Sequence, residues 1–253
     1  MHALVEAGYV VAAPDFPLSS SKAHTRIRFA DISDVAEQVK DISFIIEALT
    51  AHPFHGAMID RERIGITGHS LGAVTSYFAV YGQKTRDPRI RAVAPIAGGD
   101  PVQTALDNPM GLAGSGHASV HVPVLFLQAD KDVFARMTGR PYAAYARVEG
   151  PKYQLLIKNG YHMAFRDGAE RHPEGKNPDC LFFEQYMPGV AVPGCEEPGS
   201  FIDPLRQQTV TRTALVTFFD AWLRNDAAAL ERLRAFGDDD DDLRLVYEDG
   251  AAD

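Results

Sequence analysis

Three residues of this chain have the types and order needed to move an acyl group: a serine in a glycine-flanked turn, then an acid, then a histidine. The serine lies in Gly68-His69-Ser70-Leu71-Gly72, directly after the apolar run Ile64-Gly65-Ile66-Thr67 and directly before the helix-like stretch 73–80. A Gly-x-Ser-x-Gly at a strand-to-helix junction has the form of a nucleophile elbow. The turn is tight, so small residues are expected on both sides and the serine backbone is expected to be strained. The strain lifts the hydroxyl clear of the sheet edge. The helix that follows aims its N–H groups and the positive end of its dipole at the same point. A glycine-rich turn with an incidental serine is the plainer reading. The strand before the motif, the helix after it and the residues downstream argue for the elbow.

Serine alone is a weak nucleophile. It needs a base within hydrogen-bond reach, and the base needs an acid that fixes its tautomer. In parallel sheets such groups gather at the carboxyl ends of strands. The apolar run 122–128 leads into Ala129-Asp130-Lys131-Asp132, and the run 153–157 leads into Lys158-Asn159-Gly160-Tyr161-His162. Asp130 and Asp132 both stand as candidate acids. Asp100 is a third, although Gly98-Gly99-Asp100-Pro101 reads as a turn. His162 is the candidate base. His69 is expected to pack beside the elbow. His2, His24, His52, His55, His117, His121 and His172 follow no matching strand and read as surface or loop residues.

The elements that must position these groups alternate between strand and helix. Residues 9–15 read as a buried strand ending at Pro14, 63–67 as the strand before the elbow and 90–97 as the next. Residues 122–128 and 153–157 complete the set, with 153–157 as the last strand. Helices are expected over 31–49, with Ile32, Val35, Val39, Ile42, Ile45, Ile46 and Leu49 on one face, over 141–148, and over 209–236. Residues 17–28 read as a polar loop and 100–121 as irregular, and the loops 17–30, 98–121 and 163–207 should frame a pocket. Phe16, Phe165, Phe182, Phe183 and Tyr186 could line it, or could pack the long loop onto the core. The alternation implies an α/β fold with a mostly parallel sheet and helices on both faces.

The length of 253 residues suits one such domain, expected over 1–236. No stretch is long and apolar enough to cross a membrane, and no signal peptide is visible. The net charge of −9 is unevenly placed: residues 235–253 carry eight acids and one base, leaving −2 for the rest. There is no basic stripe for nucleic acid. The run Asp238 to Asp242 opens an acidic tail, 237–253, expected to be a solvated, disordered end rather than a cation site. Cys180 and Cys195, the only cysteines, sit in a Pro/Gly-rich loop. They read as a disulfide, and so as an exported protein, with two free thiols as the alternative. Neither has metal-ligand spacing with a histidine.

On Gly8-Tyr9-Val10-Val11-Ala12-Ala13-Pro14-Asp15, Gly68-His69-Ser70-Leu71-Gly72, Asp130-Lys131-Asp132 and Gly160-Tyr161-His162, the chain resembles the α/β-hydrolases. Within them it is similar to dienelactone-hydrolase-like and platelet-activating-factor-acetylhydrolase-like serine esterases, and more distantly to cutinase-like polyester hydrolases. The resemblance runs from residue 1 to about 235. It implies a carboxylic-ester hydrolase with Ser70 as nucleophile, His162 as base and Asp132, rather than Asp130, as the acid. The N–H of Leu71 is implied as an oxyanion donor. No cofactor or metal is implied, and the partner is a small-molecule or lipid-like ester. Acyl transfer through the same triad and an inactive binding module are the alternatives. The family fold begins with three strands before the one expected at 9–15, and the third supplies a second oxyanion donor. The chain therefore reads as a fragment lacking those strands, or as a minimal form in which 9–15 pairs directly with the elbow strand.

Overall fold

In a computed structural model of the chain, residues 1–19, 32–107, 110–112, 116–137, 142–169, 171–186, 188–196 and 198–250 are described. His24 and parts of the expected loops 17–28, 100–121 and 163–207, of the expected helices 31–49 and 141–148 and of the tail 237–253 lie outside them.

Five strands form one sheet in the order β1-β2-β3-β4-β5. They are β1 (Ile64–His69), β2 (Ile90–Ile96), β3 (Val124–Ala129), β4 (Lys152–Ile157) and β5 (Leu243–Glu248). The first four are parallel, and β5 joins β4 antiparallel with Leu155 opposite Leu245. Nine helices occur among the described residues: α1 (His2–Glu6), α2 (Val35–Ala51), α3 (Leu71–Tyr81), α4 (Pro101–Asp107), α5 (Val133–Met137), α6 (Ala143–Arg147), α7 (Cys180–Tyr186), α8 (Pro204–Leu223) and α9 (Ala227–Arg234).

The central strands are apolar on both faces because both are covered. Along β3, Val124 and Phe126 join Val35, Val39, Val74 and Phe78 of α2 and α3 on one side. Leu125 and Leu127 join Val210, Ala214 and Phe218 of α8 on the other. Alternation at period two thus feeds two separate cores. Parallel pairing puts the carboxyl ends of β1 to β4 at one edge, where the functional residues emerge.

Four expectations are corrected. Residues 9–15 form no strand: β1 pairs with β2 alone among the described residues, and 10 and 12–15 are exposed. The apolar run there has no ladder partner, and a strand exists only through one. Tyr9 instead packs on α8, with its hydroxyl donating to Asp220 Oδ1 at 2.8 Å and the Arg224 guanidinium 4.2 Å from its ring centre. The C-terminal end is not disordered throughout, because Leu243 and Leu245 turn inward onto the core beside β4; residues 153–157 are therefore not the last strand. The helix expected over 209–236 is two helices, broken at Asn225 (φ 55°), with Asp226 capping α9 through the Ala229 N–H. Asp100 is more than a turn residue: it accepts from the N–H groups of Val102 and Gln103 at the start of α4, within a span expected to be irregular.

Candidate active site

The elbow follows from close approach. Ser70 sits between β1 and α3 at φ 57°, ψ −116°, a conformation that costs a non-glycine residue energy. Its N–H donates to the Ile96 carbonyl at 2.9 Å, which pins the turn to the end of β2. A Cβ at position 68 would stand 2.2 Å from the Gly72 carbonyl oxygen, so glycine is required there. At Gly72 a Cβ would face open space, so the need for a small residue is one-sided. Gly98 supplies a second close approach, its place for a Cβ lying 2.8 Å from Ala73 Cβ.

The candidate acid and the candidate base meet. His162 Nδ1–H donates to Asp132 Oδ2 at 2.9 Å, and the two side chains are 3% and 1% exposed. That bond leaves Nε2 as the imidazole's free lone pair. The other oxygen, Oδ1, accepts from the Ala135 N–H at 2.8 Å, so the carboxylate also caps the first turn of α5. Asp100 lies elsewhere: it is wholly buried and held by Arg147, with Nη2 2.7 Å from Oδ2. Of the three candidate acids, the bond to His162 belongs to Asp132.

His69 joins the elbow to His162. Its Nε2–H donates to the His162 carbonyl at 3.1 Å, and the two rings lie 4.6 Å apart between centres. Since the acceptor is a carbonyl, the Nε2 tautomer is fixed. Burial, followed by the neighbouring His162, lowers the His69 pKa to about 3, so it stays neutral. Ser70 is the next residue along. Ser70, Asp132 and His162 thus follow the carboxyl ends of β1, β3 and β4, and a side-chain hydrogen bond joins the last two.

The base loop is gripped from α8 as well. Gln207, fully buried, accepts from the Tyr161 N–H at 3.1 Å and donates to the Tyr161 carbonyl at 2.9 Å. Gly160 lets this loop lie against the acid loop, where its carbonyl accepts from the Lys131 N–H at 3.0 Å. The Phe134 ring covers His162 at 4.3 Å and continues through Phe182 to Tyr186. Phe183 is buried with Val133 and Val192 and Phe165 packs against the α8 core, so these two serve packing.

Cys180 and Cys195 are joined by a disulfide. The long loop before and around it is not wholly irregular, since it holds α7 and a 3-10 turn at His162–Phe165. His172 in that loop is buried, with Nε2 3.1 Å from Glu184 Oε1. Two residues beside the site carry no local mark in the sequence: Phe134, one residue beyond Val133, and Asp179, whose wholly buried carboxylate accepts from the N–H of His162 at 2.9 Å. No group of three or more potential metal ligands occurs among the described residues.

No protein-family model matches the chain, and no curated protein does. Solved structures do. One is a ferulic acid esterase from Streptomyces cinnamoneus, similar at 22% identity with a TM-score of 0.55 over 88% of this chain. The chain spans 57% of that structure's length. The likeness is one of fold, and with the sheet order above it places the chain in the α/β-hydrolase type of architecture.

Proposed function

We propose that the protein hydrolyses carboxylic esters through an acyl-enzyme. The observation that carries this reading is the buried pair of His162 and Asp132, joined through His69 to a serine in a strained elbow. Ser70 Oγ attacks the ester carbonyl while His162 Nε2 takes its proton. Asp132 holds the tautomer and stabilises the imidazolium. His162 then protonates the leaving alcohol. Water, deprotonated by the same nitrogen, cleaves the acyl-enzyme and restores Ser70. The N–H of Leu71, first in α3, has no acceptor within the helix and is aimed at the developing oxyanion.

The substrate is a small-molecule or lipid-like ester. The esterase of like fold is a precedent for this chemistry on this architecture. The disulfide fits an exported protein. The test is modification by a fluorophosphonate, located by peptide mass spectrometry, together with hydrolysis of a short-chain p-nitrophenyl ester. Both should occur in the wild type and vanish in Ser70→Ala. Turnover that survives in Ser70→Ala ends the reading.

A further inference from the structure

We propose that Asp179 is a positioning residue for the triad, a carboxylate that holds the acid loop and the base loop in one register. The inference rests on the hydrolase reading above. Its ground is a set of hydrogen bonds that converge from both loops. Asp179 Oδ2 accepts from the N–H of His162 at 2.9 Å and of Val133 at 3.3 Å, and Oδ1 accepts from the N–H of Met163 at 2.9 Å. Val133 directly follows Asp132, so one carboxylate grips the base itself and the neighbour of the acid.

Asn177 completes the bracket. Its Nδ2 donates to the Lys131 carbonyl at 2.7 Å, and its Oδ1 accepts from the Asp179 N–H at 3.0 Å. Asp132 is therefore held through residues 131 and 133, and His162 through its own backbone. The bracket is anchored in turn: Cys180 is bonded to Cys195, and Phe183 and Val192 pack on Val133. The disulfide thus lies one residue from a group that touches both triad loops.

The chemistry requires an ionised carboxylate. Three N–H donors need a group that accepts at both oxygens and donates at neither. A protonated acid or an amide would turn a donor toward one of the three. Holding that charge is unfavourable here. Burial, with Asp132 adding to it, pushes the Asp179 pKa up to about 6, against the opposing pull of His162. A charge kept in so costly a place, bonded to both loops that carry the triad, is accounted for by the register it imposes.

The experiment compares wild type with Asp179→Asn, each first shown to be folded by circular dichroism. The readouts are kcat and KM for a p-nitrophenyl ester and the rate of fluorophosphonate labelling at Ser70. Misplacing the acid and base relative to each other should lower kcat and the labelling rate by about 10- to 100-fold, with KM changed by less than about threefold. A group that only supports the fold would lower the melting temperature and leave kcat of the folded protein within about twofold of wild type; that result overturns the proposal. Asn177→Ala, which removes only the grip on Lys131 and on the Asp179 backbone, serves if Asp179→Asn does not fold. It should lower kcat by about three- to tenfold, and an unchanged kcat there refutes the bracket. A wild type that never labels at Ser70 defeats the hydrolase reading and this role with it. Equal labelling of wild type and Asp179→Asn defeats this role alone.

Discussion

Asp132→Asn separates catalysis from stability, because the structure dictates how the new amide must lie. Asp132 Oδ1 accepts from the Ala135 N–H at 2.8 Å, while Oδ2 accepts from His162 Nδ1–H at 2.9 Å. An asparagine has one carbonyl oxygen. Keeping the cap on α5 points that oxygen at Ala135 and the amide NH2 at His162. The imidazole must then accept at Nδ1 and carry its proton on Nε2. In that tautomer His162 has no lone pair for the Ser70 proton. Both hydrogen bonds survive in altered polarity, so the fold should lose no more than about 1 kcal/mol. The rate should fall by about 10⁴-fold, or about 5.4 kcal/mol of transition-state stabilisation. The assay is kcat/KM on a p-nitrophenyl ester at pH 7.5, paired with urea denaturation. Asp130→Asn is the control and should stay within about threefold of wild type, since the bond to His162 is made by Asp132. A folded Asp132→Asn protein within tenfold of wild type, or an Asp130→Asn protein that loses the larger share, refutes the assignment.

Other perturbations probe the scaffold. Gly68→Ala puts a methyl 2.2 Å from the Gly72 carbonyl oxygen, where only backbone can yield; urea denaturation should show a loss of at least about 3 kcal/mol. Replacing both Cys180 and Cys195 with serine opens a loop of separation 15 and should cost about 3 kcal/mol, seen as a fall of roughly 6–12 °C in Tm. Arg147→Met strands the fully buried Asp100 carboxylate, and a loss of about 3–5 kcal/mol is expected by denaturation. The Asp179 carboxyl binds its proton more tightly folded than unfolded, with a pKa moved from 3.8 to about 6. Its contribution to stability is therefore full below pH 3.8 and is lost as pH rises through 6, a decline of about 3 kcal/mol. Between pH 3.8 and 6 the stability of wild type should fall by this amount more than that of Asp179→Asn, and equal falls would remove the shift.

What was legible in the sequence follows physical locality. β2, β3 and β4 are short apolar runs because both faces are buried, and they could be read from that alone. The elbow is local too: Gly68 and Ser70 are two residues apart and the constraint lies within the motif. The run Val10-Val11-Ala12-Ala13 misleads because pairing is a tertiary fact, and that β1 pairs with β2 alone among the described residues is not visible from residue 10. β5 hid behind Asp238 to Asp242, whose charge suggested a solvated end. Yet Leu243 and Leu245 alternate with Arg244 and Val246, the pattern of an edge strand with one wet face. Asp179 had no local signature, because its partners Val133 and His162 are 46 and 17 residues away. An aspartate beside a proline in a loop reads as a turn until the fold brings those N–H groups to it.

The same edge of the sheet holds a serine in a strained backbone, a histidine kept neutral by burial and two buried carboxylates close enough to repel each other. The strained backbone and the burial of two mutually repelling carboxylates are each a cost to the fold. The elements that oppose them are specific: Ile96 on the Ser70 N–H, Gln207 on both polar groups of the Tyr161 backbone, and Asn177 on the acid loop. Each is a hydrogen bond to backbone, so the side chains of His162 and Asp132 remain free to bond each other. Stability and activity then pull in opposite directions at Asp179. The proton that relieves its burial also spoils its grip on three N–H groups. The fold is most at ease with Asp179 protonated, while its grip on the N–H groups of His162, Met163 and Val133 is complete once it has ionised.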